Sequence, residues 1–161
     1  MFDPQPVQLA DLEEAYRAFC DTLRALTPDA FLASLGDWTP RDIAAHFVGW
    51  NRITLVGCAE LREGVLPFYF NDGTNDYRKV NGGFISRYAW RDQGQMLAQV
   101  GSTMGELASY LSRVPESEWD QDTGVAHYRP GAATVARCVD SLIRDYRKHR
   151  DEILAGPSPA A

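Results

Sequence analysis

The sequence predicts an all-α fold, a four-helix bundle, on three observations. Apolar residues recur at alternating spacings of three and four through four long segments, which places them on one face of a helix. Capping residues stand where several of those segments begin. No repeat of fixed period runs along the chain, so a bundle is favoured over a solenoid.

The first helix follows from Leu9, Leu12, Tyr16, Phe19, Leu23 and Leu26, after which Thr27-Pro28-Asp29 stops it and opens a short helical turn toward Leu32. The second starts at the clearest signal in the chain. Thr39 is a cap, Pro40 suits the first helical position, and Asp42 completes a capping-box-like pair. It runs to about Glu63, and its inward stripe of Ile43, His46, Phe47, Trp50, Ile53 or Thr54, Gly57 and Leu61 sets a histidine among core residues.

Residues Gly64 to Gly73 read as a loop. Asn81-Gly82 is locally a hairpin signal, yet 77, 80, 84 and 88 also form a helical stripe, and a lone hairpin would have little sheet to join. A helix with a weak or kinked middle is therefore expected inside a long connection between the second and third long helices.

Trp90-Arg91-Asp92 offers the next cap. The stripe of Met96 or Leu97, Val100, Met104, Leu107 and Leu111 then ends before Pro115. The stretch from Pro115 to Gly131 is irregular. The last helix runs from about Ala132 to Leu154 with Val135, Val139, Leu142, Tyr146, His149 and Ile153 facing inward. Residues 1–155 are expected to form one bundle and 156–161 a disordered tail.

A chain of 161 residues, 45% hydrophobic and 24% charged, can bury a core without disulfides or a structural metal. The net charge of −6 argues against nucleic acid or an anionic membrane as partner, with Arg144 to Arg150 the one basic run. Cys20, Cys58 and Cys138 are odd in number and widely spaced, as expected of reduced thiols. No signal-peptide pattern or membrane-length apolar run occurs, so a cytoplasmic protein is expected.

The residues best suited to chemistry are His46, Asp145 and His149. Asp145 and His149 are four apart on one helix face, and His46 could meet them from the second helix. Two histidines and a carboxylate with open positions would suit Zn, Ni or Fe as a divalent metal ion. Asp42 is a rival for the carboxylate. Asp42, Trp50 and Tyr146 are assigned to the surrounding pocket.

Blander readings stand beside this one: His46 as a hydrogen-bonded core histidine, His149 opposing a helix dipole, and Asp145 pairing Arg41 or Arg147. His127 is expected on an exposed loop and is the one candidate for a catalytic proton shuttle. No Walker loop, dinucleotide fingerprint, Gly-x-Ser-x-Gly elbow or His-Glu-x-x-His motif is present.

The run Trp38-Thr39-Pro40-Arg41-Asp42-Ile43-Ala44-Ala45-His46-Phe47-Val48-Gly49-Trp50 resembles the second-helix signature of the DinB-like superfamily. Asp145-Tyr146-Arg147-Lys148-His149-Arg150-Asp151-Glu152-Ile153 resembles its last-helix motif, and Asn75 to Asp122 is similar to the branch containing the ClbS/DfsB bundle proteins and the N-terminal domain of the mycothiol-dependent maleylpyruvate isomerase. The resemblance implies a DinB-like four-helix bundle and a divalent metal at His46, Asp145 and His149. Many members carry His-x-x-x-His on the last helix, whereas the isomerase branch has an acidic residue first, as here.

Implied activities are thiol-dependent S-transfer or isomerisation and hydrolytic protection against an electrophilic toxin. The isomerase's extra C-terminal domain is not matched. The expectation is a metal-dependent enzyme acting on a small-molecule substrate, with a low-molecular-weight thiol as possible cosubstrate. The alternatives are a non-catalytic bundle that sequesters a small molecule, and an interaction protein whose first and last helices build a homodimer.

Overall fold

The computed structural model describes residues 4–70, 77–90, 92–127 and 129–157. Its order is α1 (Pro4–Arg24), α2 (Pro28–Phe31), α3 (Pro40–Arg62), a 3-10 turn (Phe68–Phe70), α4 (Arg78–Tyr88), α5 (Gln93–Leu111), α6 (Glu116–Trp119) and α7 (Val135–Ala155). The four long helices close a ring in which α1 packs on α7 and α5, and α3 packs on α5 and α7. No strand forms among the described residues, only an isolated bridge between Ala126 and Ala132.

Periodicity becomes packing directly. Leu12, Phe19 and Leu23 of α1, Met96, Val100, Leu107 and Leu111 of α5, and Val139, Leu142, Tyr146 and Ile153 of α7 are all buried in one core. The stripes of α1 and α7 that suggested a dimer contact meet each other within this chain. α3 touches neighbours on nearly every side, so Ala44, Ala45, Val48 and Cys58 are buried as well.

Thr39 and Asp42 form the reciprocal box that starts α3, with Thr39 N donating to Asp42 Oδ2 at 2.9 Å. Asp92 and Gln95 do the same for α5. Arg91, within the expected cap sequence, lies outside the described residues, as do 71–73 of the expected loop and 158–161 of the expected tail.

Several helix boundaries and the character of one helix differ from expectation. α1 begins at Pro4 rather than Leu9 because Gln5 is buried and donates to the carbonyls of Leu111 and Val114, satisfying the end of α5. α7 begins at Val135 because Thr134 is its cap and accepts from Arg137 N. α3 ends at Arg62, one residue short of Glu63. The expected weak helix is unbroken over Arg78–Tyr88, lying on α3 outside the ring. Gly49 permits that contact, since a Cβ there would fall 2.1 Å from the Phe84 ring.

Candidate metal centre and pocket

His46 enters the site from the second turn of α3, and Asp145 and His149 enter from successive turns of α7, which packs against it. Asp145 lies between the histidines: its Oδ2 is 3.4 Å from His46 Nε2 and its Oδ1 is 3.4 Å from His149 Nε2. One ligand atom from each of the three residues falls within 4.8 Å of the others, a spacing that could hold a metal ion. Both histidines are buried and Asp145 is partly open.

The electrostatics suit ligation. Burial lowers the His46 pKa to about 3, so its imidazole is neutral, the form that coordinates a metal. His46 Nδ1 is buried with no hydrogen-bond partner among the described residues, an unusual cost for a core histidine. Burial also opposes charge on His149, but its hydrogen bond to Asp145 and the nearby carboxylates outweigh that and raise its pKa. Burial, the largest single influence, works against ionised Asp145 as well, but the hydrogen bond from His149 together with the charges of His46, His149 and Lys148 outweighs it, leaving its pKa lowered.

Glu152 was not among the expected site residues. Its Oε2 lies 2.6 Å from His149 Nδ1, which fixes the ring and turns Nε2 toward Asp145. The signal was available, because Glu152 follows His149 by three residues on a helix. The donor set, the neutral buried His46 and the carboxylate behind His149 all fit a divalent ion.

The triad lines a cavity of about 770 Å³ between α3, α7 and the segments around Tyr69 and His127. Trp38 stacks on the His149 ring, with centroids 5.8 Å apart. Trp50 lies in the wall, and its Nε1 donates to Asn81 Oδ1 at 2.7 Å.

Three assignments change. Tyr146 is fully buried on the core side of α7, stacked on Phe47 at 3.8 Å and donating to Asn51 Oδ1 at 2.9 Å, so it does not line the pocket. Neighbouring residues on a helix point about 100° apart, and Asp145 takes the cavity side. Asp42 also stays out of the pocket, held in the capping box.

His127 is buried in the cavity wall rather than exposed on a loop. Ala133 N donates to Val125 O and His127 N to Gly131 O, folding this segment back so that His127 packs on Phe70. Burial, then the charges of Arg137, Arg129 and Arg144, lower its pKa to about 4. Asp145 pairs with neither Arg41 nor Arg147. Arg147 instead reaches Asp11 and Glu14 on α1.

Fold and residues together give an all-α helical bundle with a candidate two-histidine, one-carboxylate centre. No protein-family profile and no curated protein matches the chain. Among solved structures it is similar to the colibactin self-resistance protein ClbS in complex with a dsDNA, at TM-score 0.78 and 13% identity over 100% of this chain and 99% of that one. It is similar to the sibling lethal factor precursor DfsB at TM-score 0.76 and 14% identity, covering 96% and 95%. A histidine-to-alanine mutant of the mycothiol-dependent maleylpyruvate isomerase matches at TM-score 0.67 and 15% identity, over 93% of this chain and 60% of that one. At these identities the likeness establishes the fold. No helix of the described residues is long and apolar enough to cross a membrane.

Proposed function

We propose that this chain is a metal-dependent enzyme of the DinB-like superfamily, in which a low-molecular-weight thiol or a water attacks a small electrophilic substrate by transfer or hydrolysis. The observation that carries this reading is the convergence of His46, Asp145 and His149 at the wall of a large cavity. Those residues would hold Zn²⁺, Ni²⁺ or Fe²⁺, and a bound divalent ion supplies a Lewis acid that lowers the pKa of a water or thiol.

The rest of the site serves positioning. Glu152 holds the His149 ring by its Nδ1, Trp38 covers that ring, and Phe47 packs edge-on against His46 with centroids 4.8 Å apart. His127, neutral at pH 7, is placed in the wall where it could pass a proton to or from a bound molecule. Self-resistance to colibactin and mycothiol-dependent isomerisation, named for two proteins of this fold, both agree with handling of a small molecule. The net charge of −6 favours such a substrate over nucleic acid.

Elemental analysis of the purified protein tests the reading. About one divalent ion per chain is expected, falling to background in His46→Ala. Full occupancy in that variant, or none in the parent after incubation with each metal, would overturn it.

A second reading is favoured by the aromatic wall, where Trp50 packs against Tyr69, Tyr77 and Phe84. Such a wall suits sequestration of an apolar molecule without catalysis. A thermal-shift screen separates the two, since a ligand that binds only the folded state raises Tm. Stabilisation by apolar compounds with no response to metals or chelator would favour sequestration.

A further inference from the structure

The chain is acidic, with 22 Asp and Glu against 16 Lys and Arg, yet the wall of its large cavity reverses that balance. Arg78, Arg129, Arg144 and Lys148 line it on the basic side, against Asp37, Asp145 and Glu152 on the acidic side. Two of those three carboxylates are engaged within the site: Asp145 lies between His46 and His149, and Glu152 contacts His149 Nδ1. A cationic cavity in an anionic chain draws in the ligands that the rest of the surface repels.

Arg129 and Arg144 gather at the end of the cavity that holds His127. Arg129 N donates to His127 Nδ1 at 3.0 Å, which ties Arg129 to the wall. Ser141 stands three residues before Arg144 on α7 and lines the same cavity. Arg144 pairs with Asp140 at 3.1 Å, but the two side chains are 56% and 51% exposed. Such a surface pair contributes little and leaves the guanidinium able to turn to a ligand. His127 registers the field at this end: burial lowers its pKa first, and the charges of Arg137, Arg129 and Arg144 lower it further.

We propose that this end of the cavity is an anion subsite and that the small molecule it serves is an organic carboxylate. Arg129, Arg144 and the Ser141 hydroxyl take the carboxylate, and the apolar body lies along Trp50, Tyr69 and Phe70. A planar guanidinium matches a carboxylate with two parallel N–H donors. Ser141 precedes Asp145 by four residues, about 6 Å along the helix axis, so a carboxylate held there leaves the rest of a short molecule beside the triad. A cationic ligand would meet like charge at this end, and an uncharged one would leave it unused.

The inference deepens the small-molecule reading of this cavity and rests on it, but it does not require the metal. The full chain is titrated by calorimetry with phenylacetate and with phenylacetamide, its uncharged counterpart of nearly the same shape. Each titration is run as purified and after chelation, because a metal would itself attract a carboxylate. Phenylacetate is expected to bind at least about tenfold more tightly than the amide in both states. Arg144→Gln and Arg129→Gln should each lower that preference severalfold and leave amide binding unchanged. Arg147→Gln removes the same charge from α7 on the side facing α1, outside the cavity, and should keep the preference.

Equal binding of acid and amide would overturn the proposal and leave the small-molecule reading in place. Binding of neither at millimolar concentration, a preference that disappears on chelation, or a loss in Arg147→Gln as large as that in Arg144→Gln would also overturn it. Metal content is measured on the same samples. The preference without metal removes the metal reading alone, and metal without the preference removes this inference alone.

Discussion

Asn51, Thr103 and Tyr146 form one buried polar cluster where α3, α5 and α7 meet, and His46, Asp145 and His149 form another about one helical turn away. The first is closed. Tyr146 donates to Asn51 Oδ1, Asn51 Nδ2 donates to Thr103 Oγ1 at 3.1 Å, and Thr103 donates on to the carbonyls of Gln99 and Val100. The second is open: His46 Nδ1 has no hydrogen-bond partner among the described residues, and the carboxylate faces a cavity. Satisfied buried groups tie helices together, whereas incompletely satisfied ones cost stability unless a ligand completes them. The same pair of helices thus carries a structural cluster on one side and the candidate metal centre on the other.

The largest expected effect is on the open cluster. His149→Ala removes one of three donors and should weaken metal affinity by more than about 100-fold, beyond the 10- to 100-fold typical of losing an outer-shell partner. Competition with a chromogenic chelator reads it. Glu152→Gln comes next, at about 10- to 100-fold, because the ring loses the carboxylate that orients it. Both variants should melt close to the parent when metal-free. If Glu152→Gln binds metal as the parent does, the 2.6 Å contact is only a surface ion pair.

On the closed cluster the signs reverse. Tyr146→Phe leaves Asn51 Oδ1 without its donor inside the core and should cost about 1–3 kcal/mol of stability, read by urea denaturation. Metal affinity should change little. A large loss of affinity would mean that the two clusters are coupled through α7 and would erase the distinction between them.

Legibility in the sequence followed the same divide. Apolar periodicity located all four long helices, because the stripe that repeats every 3.6 residues is the stripe that becomes buried. His46 and His149 were legible by falling on those stripes. Asn51 and Gln5 were not marked, since such a polar residue becomes structural only through a partner distant in sequence, whereas Glu152 was passed over although its i,i+3 spacing from His149 was there to read. Tyr146 was misplaced for a related reason: both its neighbour Asp145 and its own ring face inward from α7, but toward different spaces. His127 depended on backbone bonds that fold an irregular segment onto the bundle, and no side-chain pattern records those.

The smallest expected effect tests the choice of carboxylate. Asp42 precedes His46 by four residues, the same interval that separates Asp145 from His149, so spacing alone makes it an equal candidate. The geometry separates them, because Asp42 Oδ2 accepts from both Thr39 N and Thr39 Oγ1 at 2.9 Å while Asp145 lies between the two imidazoles. Asp42→Ala should therefore cost about 1 kcal/mol of stability through the lost capping box and leave metal affinity unchanged. Asp145→Asn should do the opposite, lowering affinity with little change in the melting of the metal-free chain. If Asp42→Ala were the variant that lost metal, α3 would have to open at its first turn on binding, and the closed cap would belong to the metal-free state alone.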